Sequence, residues 1–169
     1  MLYGLRAGAM GIPYIPTPGL AGSDLLDHRH DFMLVDNPFR SAERIVVVPA
    51  LVPEVAVIHA WKADRNGNAA ISRDDDGQLL AAASKLVIVT AEQVVDGTLG
   101  REHVEPHQHH LASIYVHAVV ETPGGSRPGA MEGLYEADEQ ELALYDECAR
   151  AGEFERYLDR YVFATAAAG

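Results

Sequence analysis

The sequence predicts an α/β fold with one open, mostly parallel sheet and flanking helices. Three segments carry this prediction. Val55 to Trp61 begins with an unbroken apolar run, which is typical of a strand buried on both faces of a sheet. Gly77 to Leu86 is rich in good helix formers, and Leu86 to Thr90 reads as a second apolar strand. A strand, a short helix and a strand at this spacing form a βαβ unit with two parallel strands.

The segments before this unit are shorter. The opening MLYGLRAGAM reads as the last turns of a helix that Gly11 ends. We therefore expect the sequence to begin inside a larger fold. Three apolar segments follow, at Tyr14 to Pro16, Phe32 to Val35 and Ile45 to Leu51. The last is dense in β-branched residues and predicts a strand that ends at Pro49 or lies on a sheet edge.

Two further patterns complete the element prediction. Ile114 to Val120 reads as a fourth strand of the sheet. Asp138 to Phe163 has a helical pattern with a break at Gly152, which predicts two short amphipathic helices or one bent helix. Because no repeat or low-complexity linker interrupts the 169 residues, we predict a single domain over residues 1–169.

Composition and charge exclude several classes of function. No apolar run approaches the roughly 20 residues of a membrane helix, so we expect no membrane association. The net charge of −12 argues against a nucleic-acid partner, since phosphate binding needs clustered Lys and Arg. The single cysteine, Cys148, excludes an internal disulfide and favours a reducing, cytoplasmic location.

His59 and Glu92 are candidate substrate-binding residues because of where their strands are predicted to end. His59 interrupts the apolar run at the predicted carboxyl end of its strand, and Glu92 follows the next strand. In open α/β sheets, ligands lie in the crevice beyond these strand ends. A satisfied core histidine and a capping carboxylate are the alternative interpretations.

The loop PGLAGSDL supplies three more candidates. Gly22 lets the backbone approach a ligand closely, and Ser23 and Asp24 follow it. A turn followed by an N-cap for a helix at Leu25 explains the same residues. If the loop does bind substrate, Ser23 and His59 should emerge on a common rim of the sheet.

The residues after Trp61 predict a tight polar turn. Asn and Asp tolerate left-handed backbone and bond their own main chain. We therefore assign a structural role, holding the turn at the site, to Asp64, Asn66, Gly67 and Asn68.

The segment Glu102 to His110 contains four histidines, but we predict no metal site there. His103 and His107 have the spacing of one helix face, yet Pro106 lies between them and opposes a continuous helix. A zinc site also requires fixed geometry and supporting contacts. The pattern favours a surface loop.

Four segments in this order resemble the family I CoA-transferases. They are GLRAGAMGIPYIPTPGLAGSDLL, VPALVPEVAVIHAWKADRNGNA, ASKLVIVTAEQVV, and IYVHAVVETPGGSRPG with LYEADEQELALY. The resemblance is to α subunits of the glutaconate CoA-transferase kind, including their ring-cleaving relatives, and runs from about Gly4 to Tyr161. Its most specific parts are the string from His59 to Asn68 and the PGGSRPG segment.

The resemblance implies a reaction and a partner. Family members transfer CoA between carboxylic acids through a glutamyl-CoA thioester, in a cleft between an α and a β subunit. The nucleophilic glutamate belongs to the β subunit, so no catalytic residue is assigned to this chain, and we expect the chain alone to be inactive. The implied substrates are a coenzyme A thioester and a carboxylic acid, with no permanently bound cofactor. The resemblance also implies that the chain assembles with the β subunit into a heterodimer or heterotetramer.

The sequence also departs from the family pattern. Typical α subunits carry an amino-terminal glycine-rich oxyanion segment that is absent here. Glu54 and His117 stand where the family usually has Asp, and Gly125 to Pro128 replaces a GAHP-like string. Two alternatives therefore stay open: a CoA-thioester hydrolase or ring-opening enzyme on the same scaffold, and a non-catalytic remnant that only associates.

Overall fold

The structure, a computed structural model, describes residues 2–163. The chain separates into two compact units, one ending at Pro123 and one beginning at Gly124. That residues 1–169 form one domain stays a prediction. No helix among the described residues is long and apolar enough to cross a bilayer.

The first unit contains the strands and three α-helices. The strands are β1 (Tyr14–Thr17), β2 (Met33–Asp36), β3 (Arg44–Pro49), β4 (Val55–Asp64), β5 (Ala69–Ser72), β6 (Leu86–Val95), β7 (Gln108–Leu111) and β8 (Ala118–Glu121). The helices are α1 (Leu2–Ala9), α2 (Leu25–His28) and α3 (Gly77–Ala83), with 3-10 turns at Arg101–His103 and Ser113–Tyr115.

A five-stranded sheet forms the centre of this unit, with the strand order β7-β5-β4-β6-β8. β6 lies parallel to both β4 and β8, whereas β5 lies antiparallel to both β4 and β7. Four of the five strands therefore run in the same direction. The predicted α/β class, its mostly parallel sheet and the parallel pairing across α3 are confirmed.

The core lies on one face of this sheet. Ile58 of β4 and Val87 and Val89 of β6 point to that face and pack with Ala81 of α3 in one buried cluster. The alternate residues face the other way, and Val57 is 62% exposed. The apolar run of β4 is therefore buried on one face in this structure, not on both as its sequence suggested.

A second, three-stranded sheet has the order β1-β3-β2, with both pairings antiparallel. Its central strand, β3, is the β-branched segment that the sequence predicted. Val46 and Val48 of β3 are buried, and Pro49 ends the strand.

The second unit contains α4 (Glu139–Ala151), α5 (Phe154–Tyr157) and a π-helical turn (Leu158–Phe163). Asp138 caps α4 by accepting hydrogen bonds from the backbone N–H groups of Gln140 and Glu141. Gly152, at φ 73°, ends α4 in the left-handed conformation, at the predicted break.

Tyr157 connects the helices of this unit. Its hydroxyl donates a hydrogen bond of 2.9 Å to Oε1 of Glu141. This bond, together with burial, raises the pKa of Tyr157 above its ordinary value of 10.0. The ring also packs against Tyr145 at a centroid distance of 5.2 Å.

The predicted fourth strand, Ile114 to Val120, was wrong in its first half. Ser113–Tyr115 forms a 3-10 turn, and β8 begins only at Ala118. The backbone N–H of Ser113 donates to Oδ1 of Asn68, which ties this segment to the turn after β4. The ladder with β6 therefore starts later than the apolar pattern indicated.

Candidate functional site

His59, Thr90 and Glu92 form a compact polar group on one face of the five-stranded sheet. His59 and Thr90 are direct partners in the parallel register of β4 and β6, and Glu92 lies two residues further along β6 on the same face. The His59 ring contacts Thr90 Oγ1 through Nδ1 at 2.9 Å and Glu92 Oε1 through Nε2 at 2.8 Å. The side chains of His59 and Glu92 are only 17% and 9% exposed.

These two contacts fix the orientation of the imidazole ring. An ionised carboxylate can only accept a hydrogen bond, so Nε2 of His59 carries the ring proton and its N–H donates a hydrogen bond to Glu92. In the neutral ring, Nδ1 then accepts from the hydroxyl of Thr90. Because both ring nitrogens are engaged within the protein, the orientation of the ring is fixed before any ligand binds.

The structure corrects the predicted positions of His59 and Glu92. β4 continues to Asp64 and β6 continues to Val95, so both residues lie inside their strands and not at the exits. The strands extend because the ladder between them persists to the pair Asp64 and Val95. The candidate site therefore lies on the face of the sheet and not beyond its carboxyl edge.

Asp64 lies at the end of β4, where its carboxylate is fully buried. Oδ1 accepts from the backbone N–H groups of Asn66 and Asn68, at 2.9 and 3.0 Å. Oδ2 accepts from the side chain of Asn68 at 2.8 Å and from the backbone N–H of Leu99 at 2.9 Å. The carboxylate thus joins its own turn to the loop that follows β6.

These bonds set the charge state of Asp64. Burial favours the neutral acid, but the hydrogen bonds from Asn68, Leu99 and Asn66 outweigh it, and the pKa of Asp64 lies below its ordinary value of 3.8. Asp64 is therefore ionised at neutral pH, and the four hydrogen-bond donors stabilise its charge.

Gly67 completes the same turn. Its φ is +101°, a backbone conformation that L side chains rarely adopt, and a Cβ there would lie 3.0 Å from Cβ of Val116. The structure thus places Asp64, Asn66, Gly67 and Asn68 in one hydrogen-bonded turn against the segment before β8. How far this turn supports a substrate site stays a prediction.

The contacts of Gly22, Ser23 and Asp24 are local to their own loop. Ser23 Oγ accepts from the backbone N–H of Leu25 at 3.0 Å, which closes a local turn before α2, and the N-cap of that helix is Asp24 without a side-chain cap bond. Gly22 has a φ of +84° with open space around it. Their role in substrate binding, and a common rim for Ser23 and His59, stay predictions.

The histidines of the Glu102 to His110 segment point to different partners. His103 Nδ1 accepts from the N–H of Gly100, His107 packs edge-on against Trp61, and His110 Nε2 contacts the carbonyl of Leu99. Part of the predicted surface loop is the edge strand β7. Among residues 2–163, no group of three or more His, Cys, Asp or Glu side chains is arranged to hold a metal ion.

Thr90 and Leu99 are site contacts that the sequence did not single out. Thr90 could have been found from the register, because aligning the apolar runs of β4 and β6 places it beside His59. Leu99 donates its backbone N–H to Asp64 from 35 residues away, and no local sequence pattern predicts this contact.

This combination of a mostly parallel sheet, a crossover helix and a polar group on the sheet defines an α/β protein with one candidate site. The family profile described as "Coenzyme A transferase" matches residues 1–122. The chain belongs to the coenzyme A transferase family, and the suspected kinship is confirmed.

Curated relatives include α (A) subunits of two named transferases. The one from the 3-oxoadipate CoA-transferase of Pseudomonas knackmussii is 36% identical over 161 residues, covering 94% of this chain and 55% of the relative. The one from the glutaconate CoA-transferase of Acidaminococcus fermentans is 31% identical over 178 residues, covering 94% and 54%. The chain thus spans about half the length of these relatives.

Solved structures agree with this kinship. The crystal structure of the Acidaminococcus fermentans glutaconate coenzyme A-transferase matches with a TM-score of 0.82 at 27% identity, covering 96% of this chain and 56% of that chain. A variant of the decarboxylase AibA/AibB matches with a TM-score of 0.77 at 34% identity, covering 94% and 56%. The scaffold therefore carries more than one chemistry.

Proposed function

We propose that this chain is part of the α subunit of an acyl-CoA transferase that moves CoA between carboxylic acids. The observation that carries the proposal is the alignment of 94% of the chain with α subunits of two named CoA-transferases. The preorganised group of His59, Thr90 and Glu92 supports it, because polar side chains buried on an apolar sheet face carry a desolvation cost that an apolar core would avoid.

The proposed reaction needs a second polypeptide. A β subunit supplies a glutamate whose carboxylate exchanges with the thioester: acyl-CoA and the carboxylate give the free acid and a glutamyl-CoA thioester. An acceptor acid then reverses the exchange. The proposed substrates are therefore a coenzyme A thioester and a carboxylic acid, and no catalytic residue or permanent cofactor is assigned to this chain.

In this proposal, His59 and Glu92 orient substrate at the pocket wall, and the loop of Gly22, Ser23 and Asp24 lines the same pocket. Both ring nitrogens of His59 are engaged. The role that we propose for this fixed ring is positioning of the substrate. A cytoplasmic location is also proposed, supported by the single cysteine.

Reconstitution with a β-type polypeptide tests the function. The two chains are co-expressed, purified as a complex and assayed for CoA transfer to glutaconate, 3-oxoadipate and 3-keto acids. We expect transfer, and after incubation with acyl-CoA alone we expect the β polypeptide to gain the mass of CoA less one water. A stable complex without transfer would favour the non-catalytic alternative, and thioester loss without an acceptor would favour the hydrolase.

The site is tested within that complex. His59→Gln should lower the rate of transfer by about tenfold to a hundredfold, because misplaced substrate reacts slowly. The complex itself should still form. His30→Gln is the matched control, since His30 is exposed in the loop before β2. Equal rates for the two variants would remove His59 from the site.

A further inference from the structure

A polar cavity of about 380 Å³ lies at the edge of the five-stranded sheet where β7 pairs with β5. Its lining includes Arg73, which directly follows β5, and Arg101 of the 3-10 turn before β7. β7 itself contributes Gln108, His109 and His110. We call this space the edge cavity. Its volume is in the range of small-molecule sites, which is roughly 300–1,000 Å³.

Backbone contacts bring the two arginines to the edge cavity. The backbone N–H of Arg73 donates to the carbonyl of His107 at 3.1 Å, which continues the contact between β5 and β7 beyond the strand ends. The 3-10 turn that carries Arg101 is held by a bond of 3.0 Å from the backbone N–H of Gly100 to Nδ1 of His103. The main chain therefore positions both residues, and their guanidinium groups are not needed to hold the turn or the strand.

The edge cavity is locally basic in an acidic protein. Within residues 2–163, the guanidinium groups of Arg73 and Arg101 make no hydrogen bond or ion pair, although Asp74 and Glu102 are their neighbours in sequence. Other exposed arginines do pair with a carboxylate, as Arg150 does. None of the described residues that line the cavity is Asp or Glu. In a chain with a net charge of −12, such a place attracts an anion that the rest of the surface repels.

His110 gives a second, independent indication of a ligand. Its Nε2 lies 2.9 Å from the carbonyl oxygen of Leu99. A carbonyl can only accept, so Nε2 carries the ring proton, and Nδ1 of the neutral ring is left as an acceptor. That Nδ1 atom is buried and has no hydrogen-bond partner among residues 2–163. A buried polar atom without a partner costs free energy, so a ligand that bonds to it gains affinity.

We propose that the edge cavity binds the phosphate group of a small phosphorylated molecule. The ligand must accept hydrogen bonds from Arg73 and Arg101 and donate one to Nδ1 of His110. A singly protonated phosphate does both, since it carries charged oxygens and one hydroxyl. An ionised carboxylate has acceptors only. The planar guanidinium groups also match phosphate oxygens in two-bond geometry.

Two sources supply such a phosphate group: a coenzyme A thioester, whose nucleotide part is phosphorylated, and a separate phosphorylated metabolite. Both present the same chemistry to the cavity. The inference goes beyond the proposed function, because phosphate binding by this chain requires neither a β subunit nor CoA transfer.

Titration of the full chain with pyrophosphate tests the inference. Isothermal titration calorimetry is run in a phosphate-free buffer at constant ionic strength, with citrate as the carboxylate comparison. We expect saturable binding of one pyrophosphate with a Kd of about 1 mM or tighter, and weaker binding of citrate. Displacement of pyrophosphate by CoA would identify the thioester as the source of the phosphate. Binding without displacement would identify a separate metabolite.

Charge-matched variants locate the site. Arg73→Gln and Arg101→Gln should each weaken pyrophosphate binding about fivefold, because each removes one charged donor. Arg150→Gln is the control, since it makes the same change of charge on α4, away from the cavity. Circular dichroism and urea unfolding establish that the three variants fold.

His110 provides a readout that needs no variant. In the wild-type chain labelled with ¹⁵N-histidine, a long-range ¹H–¹⁵N spectrum detects each imidazole nitrogen. Pyrophosphate should shift the Nδ1 resonance of His110 and leave that of the exposed His30 unchanged. His110→Gln assigns the resonance; its amide keeps a donor for Leu99 and removes Nδ1, so it should also weaken binding about fivefold.

Three results would overturn the inference. Absence of saturable pyrophosphate binding would show that the cavity is not a phosphate site. Equal weakening by Arg73→Gln, Arg101→Gln and Arg150→Gln would show diffuse attraction to positive charge. Citrate that binds as tightly as pyrophosphate, or an unshifted Nδ1 resonance of His110 at saturation, would reject the assigned chemistry. Loss of CoA transfer in a reconstituted complex that still binds pyrophosphate would count against the proposed function alone.

Discussion

Asp64 accepts four hydrogen bonds with two oxygens, in a position without solvent access. The sequence predicted part of this arrangement, since an Asp followed by Asn-Gly-Asn is typical of a turn that bonds its own backbone. It could not reveal the bond from Leu99, because that contact depends on where the loop after β6 returns. The same limit applies to His59, whose partners lie on another strand.

Replacing Asp64 by Asn should destabilise the protein by about 2–3 kcal/mol. The amide group that replaces one oxygen would face two N–H donors that it cannot bond, at a side chain with no access to solvent. Urea unfolding of Asp64→Asn at neutral pH measures the loss. Asp96→Asn is the control, because Asp96 is exposed and its ion pair with Arg65 spans 3.6 Å. Equal stability of the two variants would contradict the role of Asp64.

The stabilisation by Asp64 should depend on pH in a defined direction. Its folded pKa lies below the ordinary value of 3.8, so the folded state favours the ionised form. The contribution is complete above the unfolded pKa and is lost as the pH falls through the folded pKa. The stability difference between wild type and Asp64→Asn should therefore be constant from about pH 5 to 7 and shrink below about pH 4. A difference that stays constant in acid would contradict this assignment.

At the scale of elements, the strength of each pattern decided what could be predicted. β3, β4, α3 and β6 have dense apolar or helix-forming runs, and each was predicted close to its observed position. β5 and β7 were missed because AAIS is short and QHHL is polar. β5 is a strand because it pairs with the edge of β4, and β7 is a strand because it pairs with β5. The pairing order β1-β3-β2 depends on contacts distant in sequence, which periodicity does not contain.

The turn between β4 and β5 offers a test at the scale of one element. Gly67→Ala should cost more stability than Gly22→Ala, although both glycines have positive φ. A Cβ at residue 22 meets open space, whereas one at residue 67 lies 3.0 Å from Val116. We expect about 1 kcal/mol for Gly22→Ala from backbone strain, and about 1–3 kcal/mol more for Gly67→Ala from crowding. Thermal unfolding of the two variants gives the comparison, and equal costs would show that Val116 moves aside freely.

At the scale of the whole molecule, charge is the property that composition predicts best. The chain carries 25 acidic and 13 Lys or Arg residues. The ion pairs in the described part of the chain mostly join exposed side chains, and such pairs contribute little. The net repulsion of a charge of −12 is therefore weakly compensated.

Raising the salt concentration should stabilise the protein. Screening shortens the range of the repulsion among carboxylates. It also weakens the exposed ion pairs, but these contribute little to the stability. We expect the Tm to rise by about 2–5 °C between roughly 20 and 300 mM NaCl. An equal osmolality of sucrose separates screening from general exclusion effects. A Tm that falls with added salt would mean that the ion pairs outweigh the net charge.

The bonds around Asp64 have a consequence for local opening. The backbone amides of Asn66, Asn68 and Leu99 all donate to the carboxylate of Asp64, and the amide of Ser113 donates to the side chain of Asn68. An amide released singly from the carboxylate would leave a charged oxygen short of a donor and out of reach of solvent. These amides should therefore exchange their hydrogens together, with one free energy of opening. Three stretches far apart in sequence would then open and close as one cooperative unit.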